Sequence, residues 1–404
     1  MPSYRYTARD ERGNAVNGTL AAPTSEAMAE QLKRMGYLVT RSRELTQGAA
    51  GGDDVLAALQ RVSYDDLVLF NVQLATMVQV GIPLVTALTT LAQQTGKARL
   101  QRAISDVAMA VESGSSFSEA LGRQPKIFSR FFVSMVRSGE VSGRLDEILR
   151  RLALFAKRQA ELRQQLTTAM TYPAVLIAVG VGVMGFLVMG IIPKFMKIFV
   201  EAGVPLPLPT QLLYEASQLL RRFWPVFLAL LGFGVFALRT LLRTRVGRRS
   251  ADALVLRLPV IGDLVRQVSL SRMARTLETL FSSGVPVLES LAIAEDTCGN
   301  TVIAEVCQAA QTSVRQGGTI AEPLRSSAQV PPMMVQMVAA GEASGTTDRM
   351  LREIADHYDE RIQHGVKRVT TLIEPAFLLV VGGMVALIMA SILLPMFRMV
   401  NVIH

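Results

Sequence analysis

Met135-Val-Arg-Ser-Gly-Glu-Val-Ser-Gly143 and Met337-Val-Ala-Ala-Gly-Glu-Ala-Ser-Gly345 are two copies of one motif, 202 residues apart. Downstream, Asp146 and Leu149 return as Asp348 and Leu351. Upstream, Gly81-x-Pro83 returns as Gly284-x-Pro286, and Gly114, Glu119 and Leu121 return as Gly317, Glu322 and Leu324. Farther on, Thr168, Pro173, Gly180 and Pro193 return as Thr370, Pro375, Gly382 and Pro395. A period this long is not that of a solenoid. It predicts a duplicated unit in which a polar helical block feeds an apolar helix.

Half of the 404 residues are apolar, and they are concentrated. Pro173–Pro193 and Pro375–Phe397 contain no charged residue. At ~1.5 Å per residue, each is long enough for a ~30 Å hydrocarbon core. A third run, residues 223–242, is interrupted only by Arg239 near its end. Three membrane helices are therefore expected, over 173–193, 223–242 and 374–397. The polar opening of the chain predicts no cleaved leader. Basic residues crowd one side of the spans: Lys157, Arg158 and Arg163, then Arg243, Arg245, Arg248 and Arg249, then Lys367 and Arg368. Positive charge marks the cytoplasmic side. The N-terminus, the helical blocks 63–172 and 271–373 and the basic connector 243–270 are thus expected in the cytoplasm. The 194–222 loop and the 398–404 tail fall outside. The net charge of +9 sits at membrane boundaries rather than on a recognition element, so no nucleic-acid partner is expected.

Residues 1–45 read differently. Tyr4-x-Tyr6-x-Ala8 and Val16–Ala22 alternate as strands around turn residues, and Ser25–Met35 reads as a short helix stopped by Gly36. A ββα(β) domain is expected there, followed by a glycine-rich linker over 46–62. Beyond it, helical stripes such as Leu67, Phe70, Leu74 and Met77 are punctuated by glycine and proline, predicting six helices per block.

Several motifs fail on context. Gly180-x-Gly182-x-x-Gly185 spells a dinucleotide fingerprint but lies mid-span, where small residues serve helix packing. Gly96-Lys97 lacks the rest of a phosphate loop, so no catalytic centre and no bound cofactor are expected. His357 and His364 are seven apart and read as part of a solvated helix. Candidate contact turns are Gly139, Glu140, Ser142 and Gly143 with Gly341, Glu342, Ser344 and Gly345. Their glycines suit tight turns, and each Glu can accept backbone N–H groups at the next helix start or meet a partner. Glu140 with Asp146 and Glu147 can also hold a hard divalent cation. Pro173, Gly180, Gly182, Gly185, Glu374, Pro375 and Gly382 are candidates for span packing or for contact with a membrane partner. Glu374 also suits a helix start.

These motifs carry a resemblance. Gln73-Leu-Ala-Thr-Met77, Gly81-Ile-Pro83, Ser138–Gly143, Ala169–Pro173, Leu206–Thr210, Arg275-Thr-Leu, Gly284-Val-Pro286 and Ile373-Glu-Pro375 resemble the inner-membrane platform family of type IV pilus (PilC) and type II secretion (GspF) systems. The resemblance covers essentially the whole chain. It implies an all-α integral membrane protein with two homologous cytoplasmic six-helix bundles, three transmembrane helices and a small N-terminal domain. It implies a non-enzymatic base for a pilus or pseudopilus. The implied partners are extension and retraction ATPases or a secretion ATPase, inner-membrane alignment proteins, pilins or pseudopilins, the lipid bilayer and further copies of the chain. Ala343 departs from the commoner pilus pattern of a second acid at this turn. Pro331–Met337, Cys298-Gly-Asn300 and Leu394–Phe397 lean to the pilus branch. A small transporter, the reading from another class, fits poorly: the 223–242 span has no copy and no charge lies mid-span.

Overall fold

The computed structural model describes residues 3–9, 15–21, 38–45, 62–201 and 208–402, together with positions 27, 29, 31 and 33. The expected Ser25–Met35 helix and 46–62 linker fall mostly outside the described residues. Three strands, β1 (Ser3–Arg9), β2 (Ala15–Ala21) and β3 (Leu38–Leu45), form one antiparallel sheet with β1 in the middle.

Six helices make the first bundle: α1 (Tyr64–Gln79), α2 (Leu84–Gln94), α3 (Ala98–Glu112), α4 (Phe117–Gly122), α5 (Arg130–Ser142) and α6 (Leu145–Phe186). Local chemistry sets their ends. Ser63 and Asp66 form a capping box at the start of α1, and Gly81 turns the chain at φ +86° before Pro83 opens α2. The stripe read from the sequence turns inward: Phe70 and Leu74 are buried with Leu88, Leu91, Ile104, Leu121, Met135 and Leu149. Each such side chain contributes roughly 1.5–3 kcal/mol.

α6 does not stop where the polar block ends. It runs through Pro173 into the apolar segment, passes a five-residue π-helical turn at Leu187–Ile191, and continues as α7 (Ile192–Glu201). α8 (Leu208–Leu241) follows. Most of the loop expected over 194–222 is therefore helical, and only 202–207 lie outside the described residues.

The second half differs from expectation at its entry. The basic connector over 243–270 is helical: α9 (Arg245–Arg257) is capped by the Thr244 hydroxyl, and α10 (Ile261–Ser282) starts well before the expected bundle boundary. α11 (Val287–Thr297), α12 (Thr301–Arg315), α13 (Ala321–Ser326), α14 (Pro332–Ser344) and α15 (Thr347–Val402) then repeat the first half. The second bundle thus has the expected six helices, α10 to α15, and α9 packs beside them with Leu256 buried.

Among the described residues, Leu145–Phe195 and Thr347–Leu394 are long and apolar enough to cross a membrane. Thr210–Phe227 and Gly232–Leu241 meet at 49° and qualify only when taken as one bent span. Pro225, just before that bend, removes a backbone donor. The long helices leave Val181, Phe186, Leu379 and Val380 facing outward, an apolar surface suited to lipid rather than water.

Candidate functional site

The repeated Gly-Glu-x-Ser-Gly motif is a helix end, and each kept residue has a local task. Gly139 lies where α5 crosses α6: a Cβ there would sit 3.0 Å from Ile148. At Gly341 it would sit 2.9 Å from the Thr347 backbone. Gly143 and Gly345 terminate their helices in the left-handed region, at φ +68° and +69°. The Arg144 N–H returns to the Gly139 carbonyl and the Thr346 N–H to the Gly341 carbonyl, both at 2.9 Å. That is the Schellman arrangement, and it requires glycine at the left-handed position. Ser142 and Ser344 donate to the carbonyls of Ser138 and Ala340, each at 2.7 Å.

The two glutamates reach the start of a preceding helix, not the next one. Glu140 accepts from the Phe117 N–H at 2.5 Å and the Ser118 N–H at 3.0 Å, and the Ser116 hydroxyl accepts from Glu119 N–H. Glu342 accepts from Ile320 N–H at 2.6 Å and Ala321 N–H at 2.9 Å, and Thr319 replaces Ser116. A six-residue helix has few bonds of its own, and its orphan N–H groups need acceptors. A half-buried carboxylate meets that need and complements the positive helix end. Partner contact is therefore not required to explain the paired glutamates.

The alternative cation site does not assemble. Glu140 is held at α4, Asp146 is exposed, and Glu147 is bound by Arg151 at 2.7 Å and by Arg144. Among the described residues no group of three potential ligands stands together. The hydrogen bond from Arg151, with the charge of Arg144, holds the Glu147 carboxyl below the usual carboxylate range.

The membrane candidates also separate. A Cβ at Gly180 would run into the ring of Phe377, so α6 and α15 pack closely there. Pro173 is buried. Gly182, Gly185 and Gly382 have open space around them. Glu374 is exposed and lies inside α15, which passes through Pro375, so it is not at a helix start.

Two features lay outside the sequence reading. The first is a cleft of about 600 Å³ between the bundles, lined by Ser134, Ser138, Val141, Arg151, Ser283 and Glu289 among others. The second is the α10–α15 seam. Arg275, 4% exposed, donates to Asp356 at 2.5 Å and Asp359 at 2.8 Å, and Arg352 pairs with Glu278 at 2.9 Å. Burial disfavours the charge on Arg275, but the two carboxylates more than offset it and raise its pKa. Asp356 and Asp359 thus belong to a seam, not to a freely solvated helix. Arg275 and its two acids are more than eighty residues apart in sequence, so no local pattern announces the pairing.

Comparison with known proteins follows the duplication. The family profile described as "Type II secretion system (T2SS), protein F" matches residues 70–193 and again 273–395. The profile "Type II secretion system protein F, N-terminal domain" matches residues 1–42. The type IV pilus assembly protein PilC of Thermus thermophilus is 40% identical over 402 residues, 99% of each chain. PilC of Myxococcus xanthus is 32% identical over 401 residues, 99% of this chain and 96% of that one. The type II secretion system protein F of Vibrio cholerae is 34% identical over 402 residues, 99% of each. With both halves and the N-terminal segment matched, this chain is a membrane protein belonging to the type II secretion system protein F family.

Proposed function

We propose that the chain is the inner-membrane platform of a type IV pilus assembly machine. It couples cytoplasmic ATPases to the insertion or extraction of pilins at the fibre base, and it is not itself an enzyme. The observation that carries this reading is the continuity of each bundle with an apolar helix: α6 and α15 each begin in packed polar surroundings and end in an apolar span. A displacement imposed on a bundle would reach the bilayer with no flexible linker between them.

On this reading there are three spans, α8 supplying the bent second one, and the bundles and N-terminus lie in the cytoplasm with the basic boundary residues. Alignment proteins and pilins would meet the spans. Since Glu140 and Glu342 are occupied as helix caps, the motor would meet exposed flanks of the same turns, such as Val141, which is 85% exposed. The pilus branch is favoured over the secretion branch by the higher identity to the Thermus thermophilus pilus assembly protein.

Deleting the gene, then complementing it, tests this. Loss of surface pili with pilin accumulating in the inner membrane is expected. Loss of protein secretion with intact pili would move the chain to the secretion branch, and no change in either would overturn the platform reading.

A further inference from the structure

The duplication creates a contact surface that one chain uses once and offers twice. The first bundle meets the second through unlike elements. Arg130 on α5 pairs with Asp296 on α11 at 3.1 Å, Ser134 donates to Glu289 at 2.5 Å, and Ser138 donates to the Ser283 carbonyl in the α10–α11 turn. Leu280, Val285 and Ile293 around that turn enter the apolar core of the first bundle. Because α5 does not face its own copy, α14, the contact is head-to-tail rather than two-fold.

A second instance needs the copies of both faces, and among the described residues neither is covered. Gln336 and Ala340, the copies of Ser134 and Ser138, are exposed on α14, and Met333 beside them is 40% exposed. Val80, the copy of Ser283, is 70% exposed in the α1–α2 turn. Met77, Ile82 and Thr90 are only half-buried, whereas their copies Leu280, Val285 and Ile293 are buried.

We propose that these two faces meet between neighbouring copies of this chain. The α14 face of one copy rests on the Gly81-x-Pro83 turn of the next, repeating the contact made inside the chain. Three observations support this occupant. The existing contact needs a small helix residue where the Gly-x-Pro turn approaches: Ser138 Oγ lies 3.7 Å from where a Gly284 Cβ would be, and the free faces keep that pairing as Ala340 and Gly81. Pro332, Met333 and Gln336 would face Val80, Ile82 and Thr86, an apolar set with one amide opposite a hydroxyl and no like charges. Finally, Arg158 meets Asp356 at 3.9 Å and Gly180 meets Phe377 in the same order along α6 and α15, so the two long helices run parallel. Repeating that relation keeps every copy the same way up in one bilayer. It also places Val175 of the next copy, the counterpart of Phe377, in the open space beside Gly382. A head-to-tail contact confined to a plane builds a ring or an arc. None of this depends on the platform reading.

Cysteine pairing in native membranes tests it on the full chain, in which Cys298 and Cys307 are buried. Membranes carrying both Val80→Cys and Ala340→Cys in one chain should yield a ladder of dimers and larger species with a short thiol cross-linker. Either single variant alone should stay monomeric, whereas the two singles co-expressed should give a dimer band. Gln336→Arg, on the same exposed face of α14, added to the double variant should abolish the ladder. A double variant that remains monomeric, or dimers from one single variant alone, would overturn the proposal.

Discussion

The two bundles share their connections and differ in their seams. Both cap the short fourth helix with a glutamate from the next helix, and both close that helix with a left-handed glycine. Their long seams are built differently. In the second half, Arg275, Glu278 and Asp356 tie α10 to α15. In the first half, Val72, Ala75 and Leu154 occupy the matching positions of α1 and α6. The difference separates two kinds of constraint. Each copy must satisfy the same orphan N–H groups, so capping chemistry is retained in both. A seam has only to hold two helices together, and the first half does so without charges at these positions, where Ala75 is buried and Val72 and Leu154 are exposed.

The sharpest way to break the comparison is at the charged seam. Arg275→Ala should cost about 3 kcal/mol through the lost charge-assisted hydrogen bonds and the lost packing of a buried side chain, since Asp356 and Asp359, 53% and 37% exposed, stay hydrated without it. Arg275→Met should cost clearly less, because it restores packing. Thermal unfolding of the detergent-solubilised full chain reads both, and equal losses would show that the charge plays no part. The shared caps come next. Glu140→Ala and Glu342→Ala should each cost about 2 kcal/mol by stranding two N–H groups, and the two effects should add because the sites lie in separate bundles. A large loss at only one of them would mean that the motif serves the two halves differently.

The smallest effect concerns pH. The Glu147 carboxyl is held low by Arg151 and Arg144, while its copy is Arg349. A lowered carboxylate pKa stabilises the fold above its ordinary value of 4.5 and loses that contribution as the pH falls through the lowered value. The melting temperature of wild type should therefore exceed that of Glu147→Gln at pH 7, with the gap closing below about pH 4.5. A gap independent of pH would assign the effect to packing.

Much of this architecture was legible in advance. The Gly81-x-Pro83 and Gly284-x-Pro286 breaks mark helix ends, because glycine permits the turn and proline opens the next helix. Long-range partners were not legible. Glu140 binds N–H groups more than twenty residues upstream, and no local pattern shows which helix start a carboxylate will reach. Likewise α9 reads as a basic run, yet one face of it carries Leu256 into the second bundle. Within one chain, only Gly180 of the four glycines singled out in the spans has a neighbour where its Cβ would stand, and spacing alone does not distinguish it from the other three.

The π-helical turn at Leu187–Ile191 makes the two halves mechanically unequal. α15 is 56 residues of uninterrupted helix, about 84 Å at 1.5 Å per residue, so a tilt of about 5° at its base sweeps its far end through about 7 Å. α6 ends after 42 residues at a point where the hydrogen-bond ladder is locally rewound. One arm stays α-helical throughout, though Pro375 and Pro395 each withhold a donor from its ladder, and its twin has a wrist. A load that reaches both bases equally would leave them at different angles in the bilayer, turning a symmetric push into a shear.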